Sequence, residues 1–238
     1  MDKEKRMRSF LDAVHGKMIV SCQAVFGEPL YVEEKSVMYL MARAAKMAGA
    51  PAIRTSGIRD VAAIKKETAL PVIGLVKIQY KGYDSYITPT MKEVEELVLA
   101  GADVVAMDCT MRKRGDGKTV SAYMEEVRKA YPDVILMADI STYEEGINAW
   151  KCGMDILGTT MSGYTPYSLK ISGPDYELMR RLSMDAKIPV IGEGRIHTPE
   201  QAVAALKTGV WSIVVGGAIT RPLEIAQRFM RAIDEAGV

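Results

Sequence analysis

The chain has 238 residues, 48% of them hydrophobic and 26% charged, with a formal net charge of +1. Such a composition supports a substantial folded core and carries no mark of a nucleic-acid partner or an anionic membrane surface. Its three cysteines, Cys22, Cys109 and Cys152, are scattered and form no CxxC pair, which argues against a disulfide framework or a zinc site and fits a reducing cytoplasm.

At the N-terminus, Asp12, His15 and Lys17 interrupt any apolar core of a signal peptide, and no later apolar run approaches a membrane span. Met7, Phe10, Leu11 and Val14 instead follow helical spacing, predicting a short helix against the body. Eight runs rich in Val, Ile, Leu and Met follow, at 18–21, 52–55, 72–77, 104–108, 134–139, 156–159, 190–193 and 213–215. Helical patterns alternate with them at about 36–48, 58–67, 91–100, 121–130, 143–152, 175–186, 199–208 and 223–236. Continuous apolar strands separated by helices indicate a parallel sheet covered on its faces. Eight such units in a chain of this length predict a (β/α)8 TIM barrel, with residues 1–238 as one domain.

A repeat supports the count. Gly49, Gly101, Gly153 and Gly209 each end a helix and precede a strand, at separations of 52, 52 and 56 residues (101−49, 153−101, 209−153), two βα units each time. Pro71, Pro132 and Pro189 introduce the intervening strands. Thr90 with Glu93, Thr142 with Glu145 and Thr198 with Gln201 are capping-box pairs. The longest irregular stretches, 22–35, 78–90, 109–120 and 160–174, all follow strand ends, the face where such barrels build their sites.

Two of these strands open alike, as Pro71-Val72-Ile73-Gly74 and Pro189-Val190-Ile191-Gly192. In that register Glu193 lies opposite Leu75, two residues before Lys77, so Glu193 and Lys77 share a parity and a face. As ends of the third and seventh strands they face each other across an eight-strand mouth. Lys77 reads as a solvated loop lysine, as a neutral amine base with its pKa lowered by desolvation and by Arg54 or Arg195, or, third, as a Schiff-base lysine. Glu193, between two glycines, reads as its acid–base counterpart or as an ion-pair partner of Arg195. Asp108 and Asp139 both close apolar strands, where an Asx cap is a common use; capping suits Asp108 better than Asp139. Gln23 and Arg54, ending strands one and two, bring hydrogen-bonding side chains to the same mouth.

An anion signal lies at the last strand, in Val215-Gly216-Gly217-Ala218-Ile219-Thr220-Arg221-Pro222. Paired glycines let backbone N–H groups approach a phosphate, and the following helix N-terminus favours negative charge. Gly194 and Arg195 supply a second such loop after strand seven. His15 and His197 are the only histidines, so a multi-histidine metal site and a Ser–His–Asp triad are not expected, and neither a GxGxxG nor a Walker motif is present. Acid–base chemistry on a phosphorylated small molecule, without a metal, is what remains.

At these residues the sequence resembles the N-acetylmannosamine-6-phosphate 2-epimerase family. The motifs run from Ser21-Cys22-Gln23-Ala24 through Tyr86-Ile87-Thr88-Pro89-Thr90, Asp108-Cys109-Thr110, Ala138-Asp139-Ile140-Ser141-Thr142 and Gly158-Thr159-Thr160-Met161-Ser162-Gly163-Tyr164-Thr165. They close with Gly192-Glu193-Gly194-Arg195-Ile196 and Gly216-Gly217-Ala218-Ile219-Thr220-Arg221-Pro222. The resemblance implies a barrel of the ribulose-phosphate-binding type and a cytoplasmic, dimeric enzyme of sialic-acid and amino-sugar catabolism. It implies that Lys77 and Glu193 are the catalytic pair, that Gln23, Arg54 and Asp139 contact the sugar, and that Arg221 with the last glycines holds the phosphate. Two flanks depart from the family pattern: Ile78-Gln79-Tyr80 stands where Arg-Asp-Tyr is usual, and Thr55-Ser56-Gly57 where Ala-Asn-Gly is frequent. Both bear on substrate preference more than on reaction type. The expected reaction is a cofactor-independent C2 epimerisation of a phosphorylated amino sugar. The alternatives are an FMN-dependent oxidoreductase, whose barrel grips the flavin phosphate with similar late loops, and a non-catalytic sugar-phosphate sensor.

Overall fold

The computed structural model describes residues 2–237. Eight short strands alternate with helices: β1 Met18–Ser21, β2 Ile53–Ser56, β3 Val72–Leu75, β4 Val104–Asp108, β5 Ile135–Asp139, β6 Ile156–Gly158, β7 Val190–Glu193 and β8 Ser212–Val215. All neighbours pair in parallel, and β8 returns to β1, closing the barrel in sequence order. Because β8 pairs with β1, no sheet edge is left unpaired, the outcome the continuous apolar strands predict.

Preceding them, α1 (Lys3–Val14) buries Phe10 and Val14, with Trp211 donating from its indole N–H to Leu11 O at 2.8 Å. The strand connections hold α2 (Met38–Met47), α3 (Ile58–Thr68), α4 (Met91–Leu99), α5 (Val120–Ala130), α6 (Tyr143–Lys151), α7 (Tyr176–Asp185) and α8 (Pro199–Leu206), and α9 (Pro222–Ala236) ends the order. The three capping boxes form as expected. The four glycines before β2, β4, β6 and β8 all take left-handed backbone, at φ between 83° and 95°.

Apolar side chains form two shells. Ile19, Ala52, Ile73, Leu75, Val104, Ala106, Ile135, Met137, Ile156, Ile191 and Val214 fill the barrel itself, with Phe10 and Val14 of α1 in the same cluster. A second cluster, including Val20, Ile53, Val105, Leu136, Leu157, Leu178 and Val190, packs strands against helices. Strand alternation produces the two sets, and it aims Arg54, Asp139 and Glu193, each an even number of residues beyond an interior side chain, into the top of the barrel.

One boundary differs in a way that matters. The sequence suggests a strand over 72–77, whereas β3 ends at Leu75. Lys77 lies beyond it in an isolated antiparallel bridge with Ile87, flanked by Thr88 N–H donating to Val76 O at 2.7 Å and Ile78 N–H donating to Tyr86 O at 2.9 Å. The loop after β3 folds back on itself, so backbone hydrogen bonds fix Lys77 without a neighbouring parallel strand.

Candidate active site

A cavity of about 280 Å³ opens at the C-terminal mouth of the barrel. Lys77 and Glu193 both line it, together with Gln23, Arg54, Gly194, Arg195, Gly216, Gly217 and Arg221. Nine of the ten residues singled out from sequence therefore converge on one space. Asp139, the tenth, is fully buried beneath them and is not among the lining residues.

At the floor, Arg54 and Asp139 form a pair closed to solvent, with Nη2 donating to Oδ2 at 2.6 Å. Arg54 Nε lies 3.4 Å from Glu193 Oε2, so the guanidinium spans two carboxylates. Thr160 Oγ1 completes a ring, 2.6 Å from Asp139 Oδ1 and 3.0 Å from Glu193 Oε2. The main chain of Glu193 is held by Thr159, whose Oγ1 accepts from Glu193 N–H at 2.9 Å and donates to Glu193 O at 2.8 Å.

The surroundings drive the two ends of the proposed pair in opposite directions. Burial, with the positive charges of Arg221 and Arg54, pushes the Lys77 amine down to about 8, against the pull of Glu193 and Glu28. Burial, with the negative charge of Asp139, pushes the Glu193 carboxyl up, against the pull of Arg54, of the Thr160 hydroxyl taken as a donor, and of Lys77. A lysine moved toward neutrality beside a carboxyl moved toward its acid form has the character of a proton-transfer pair.

Asp108 does not reach this cavity. Its Oδ1 accepts from Thr110 N–H at 3.0 Å and Thr110 O–H at 2.6 Å, and Arg112 pairs with its other oxygen, so it caps the turn after β4. Gln23 donates to Ser21 Oγ at 2.8 Å and leaves its Oε1 buried without a partner among the described residues.

The two arginines beside the glycine loops differ. Arg221 is engaged by Glu28 at 3.1 Å and Glu224 at 2.8 Å. Arg195 has both Nε and Nη2 buried without a hydrogen-bond partner among the described residues. It takes a left-handed φ of 56°, a strained setting for a side chain with a Cβ. Gly163 makes room for it, since a side-chain carbon there would overlap the guanidinium. Unsatisfied guanidinium N–H groups beside the glycine loops form an anion-binding arrangement.

Sequence reasoning passed over Thr160, Tyr86, Tyr164, His197 and Glu224, which also line the cavity. Thr160 had a readable signal, as a polar residue just past the end of β6. The position of Glu224, one turn into α9, depends on how that helix is hung from the loop. Among the described residues, no group of three or more His, Cys, Asp or Glu side chains is placed to hold a metal ion, and no helix is long and apolar enough to cross a membrane.

Fold and cavity define a (β/α)8-barrel protein whose C-terminal mouth holds a cavity lined by acidic and basic side chains and glycine loops. The profile of the family described as "Putative N-acetylmannosamine-6-phosphate epimerase" matches residues 38–235, and the chain belongs to that family. A relative from Caldanaerobacter subterraneus subsp. tengcongensis is 53% identical over 92% of this chain and 91% of its own. One from Clostridium perfringens is 50% identical over 92% and 97%. Both carry the name "Putative N-acetylmannosamine-6-phosphate 2-epimerase". The solved structure of the N-acetylmannosamine-6-phosphate 2-epimerase from Clostridium perfringens superposes with a TM-score of 0.88 at 49% identity, covering 93% of this chain and 95% of that one.

Proposed function

We propose that the protein converts N-acetylmannosamine 6-phosphate to N-acetylglucosamine 6-phosphate by cofactor-independent epimerisation at C2, in the cytoplasm. The observation that carries this reading is the opposed pair, Lys77 pushed down and Glu193 pushed up, lining one cavity with the glycine loops.

The C2 hydrogen becomes acidic only when C1 is an aldehyde, so the sugar ring opens first. Neutral Lys77 Nζ takes the C2 proton, and the C–H electron pair moves into the C1 carbonyl to give an enolate. A proton returns to C2 on the opposite face as the carbonyl re-forms. The acid form of Glu193 either delivers that proton or assists ring opening. Arg54, held by Asp139, places positive charge next to Glu193, and Asp139 acts on the sugar through Arg54. Gln23, with its unused Oε1, contacts the sugar. Arg195, Arg221 and the backbone N–H groups of Gly194, Gly216 and Gly217 take the phosphate, whose binding energy positions the reacting carbon from a distance.

The test is turnover in deuterated water. The native enzyme incorporates deuterium at C2 of N-acetylmannosamine 6-phosphate, and Lys77→Met does not. Normal incorporation by that variant would remove Lys77 from its role.

The working form is proposed to be a homodimer. Supporting it, no side chain of α9 is buried, while Leu223, Phe229, Met230 and Ile233 stand exposed in a stripe that a second copy would cover.

A further inference from the structure

Thr160 sits between two carboxylates with one proton to give. Its Oγ1 is 2.6 Å from Asp139 Oδ1 and 3.0 Å from Glu193 Oε2, all inside a cavity floor largely removed from water. A hydroxyl donates once and accepts through its lone pairs. The shorter contact, to the carboxylate already paired with Arg54, is the stronger acceptor of that single proton. The Glu193 contact is then a hydrogen bond only when Glu193 brings a proton of its own, with its O–H donating to Thr160 Oγ1. Were Glu193 ionised as well, two oxygens without a hydrogen between them would face each other at 3.0 Å in a buried site.

We propose that Thr160 is a positioning residue: by committing its one hydroxyl proton to Asp139 it offers Glu193 an acceptor, and so holds Glu193 as the carboxylic acid in the resting enzyme. What that acid does next rests on the catalytic reading given above; its existence does not. The charged and titratable groups around Glu193 are Arg54 from β2, Lys77 after β3, Asp139 from β5 and Tyr164 after β6. The two cations favour the carboxylate, as would the Thr160 hydroxyl if it donated to Glu193 rather than to Asp139, and burial with Asp139 opposes them. The hydroxyl gives the acid form a specific partner, which a merely buried carboxyl would lack.

The experiment is a pH titration of the ligand-free enzyme with glutamate δ-carbons labelled with ¹³C, the Glu193 resonance being assigned by its loss in Glu193→Gln. In Thr160→Val the midpoint of Glu193 falls by about one pH unit, the differential worth of one hydrogen bond of ordinary strength. Thr160→Ser keeps the native midpoint. Thr160→Cys, whose thiol is a poor acceptor, moves in the same direction as valine and serves if the valine variant does not fold. A midpoint that rises or stays put in Thr160→Val or Thr160→Cys overturns the proposal, because it means that the hydroxyl donates to Glu193 or does not act on it. So does a serine variant that shifts as far as valine. Since no substrate is present, the result is independent of turnover: a fully active Glu193→Gln would defeat the catalytic reading and leave this one standing.

Discussion

Arg54 of β2 and Asp139 of β5 meet across the inside of the barrel at 2.6 Å, and neither is open to solvent. Both are charged, and each depends on the other. Removing one partner of such a pair leaves the other charge desolvated and uncompensated, at a cost of about 3–5 kcal/mol. Asp139→Ala is therefore expected to lower stability by about that amount in urea unfolding, and so is Arg54→Met, which leaves Asp139 buried beside Glu193 without its cation. Loss of activity accompanies both, since the guanidinium that faces Glu193 is displaced or absent.

Lys77 gives a pH signature of its own. Its amine titrates at about 8 in the folded protein against an ordinary value of 10.5. Between those values the unfolded chain holds a proton that the folded one has released, so this group makes stability rise as pH increases through that window. The expected outcome is a difference in denaturation free energy between native protein and Lys77→Met that narrows from pH 7 to pH 10. Activity follows the same group, with kcat/KM climbing toward about pH 8 as the amine loses its proton. General-base catalysis is worth about 10²–10⁴-fold, the range of loss expected for Lys77→Met.

Glu193→Gln separates the two roles left to that residue. The substitution removes a carboxyl that burial disfavours as an anion, so thermal stability at pH 7 is expected to hold or rise while turnover falls. If Glu193 delivers the second proton, native product formed early in deuterated water is fully deuterated at C2. If it assists ring opening and Lys77 handles both transfers, some product keeps its original hydrogen.

Gly163 and Arg195 test the anion site. Gly163→Ala brings a methyl group into the Arg195 guanidinium and onto a backbone with φ of 83°. A rise in KM of tenfold or more is expected, matched by weaker competitive inhibition by inorganic phosphate. Arg195→Ala should reproduce both effects without the backbone strain. An unchanged phosphate inhibition constant in Arg195→Ala would shift the anion role to Arg221 alone.

The face of α9 predicts association. Light scattering on the native protein is expected to give twice the 26.1 kDa chain mass, and Phe229→Glu to give a single chain mass.

Much of this molecule was legible in the chain because the signals are local. Apolar runs of four or five residues, a Thr three residues before a Glu or Gln, and a glycine at a helix end each act within a turn or a strand, so their meaning survives without tertiary context. Lys77 and Glu193 were readable for the same reason, as charges placed where apolar runs stop. What needed three dimensions was the choice of partners. Arg54 and Asp139 are 85 residues apart, and only closure of the barrel brings β2 opposite β5. The same closure sets one hydroxyl, Thr160, between two carboxylates, and leaves Arg195 Nε and Nη2 without a partner among the described residues while Arg221 is claimed by Glu28 and Glu224. Strand pattern decides which way a side chain points; charge and proton position depend on distances of a few ångströms between residues that the sequence holds far apart.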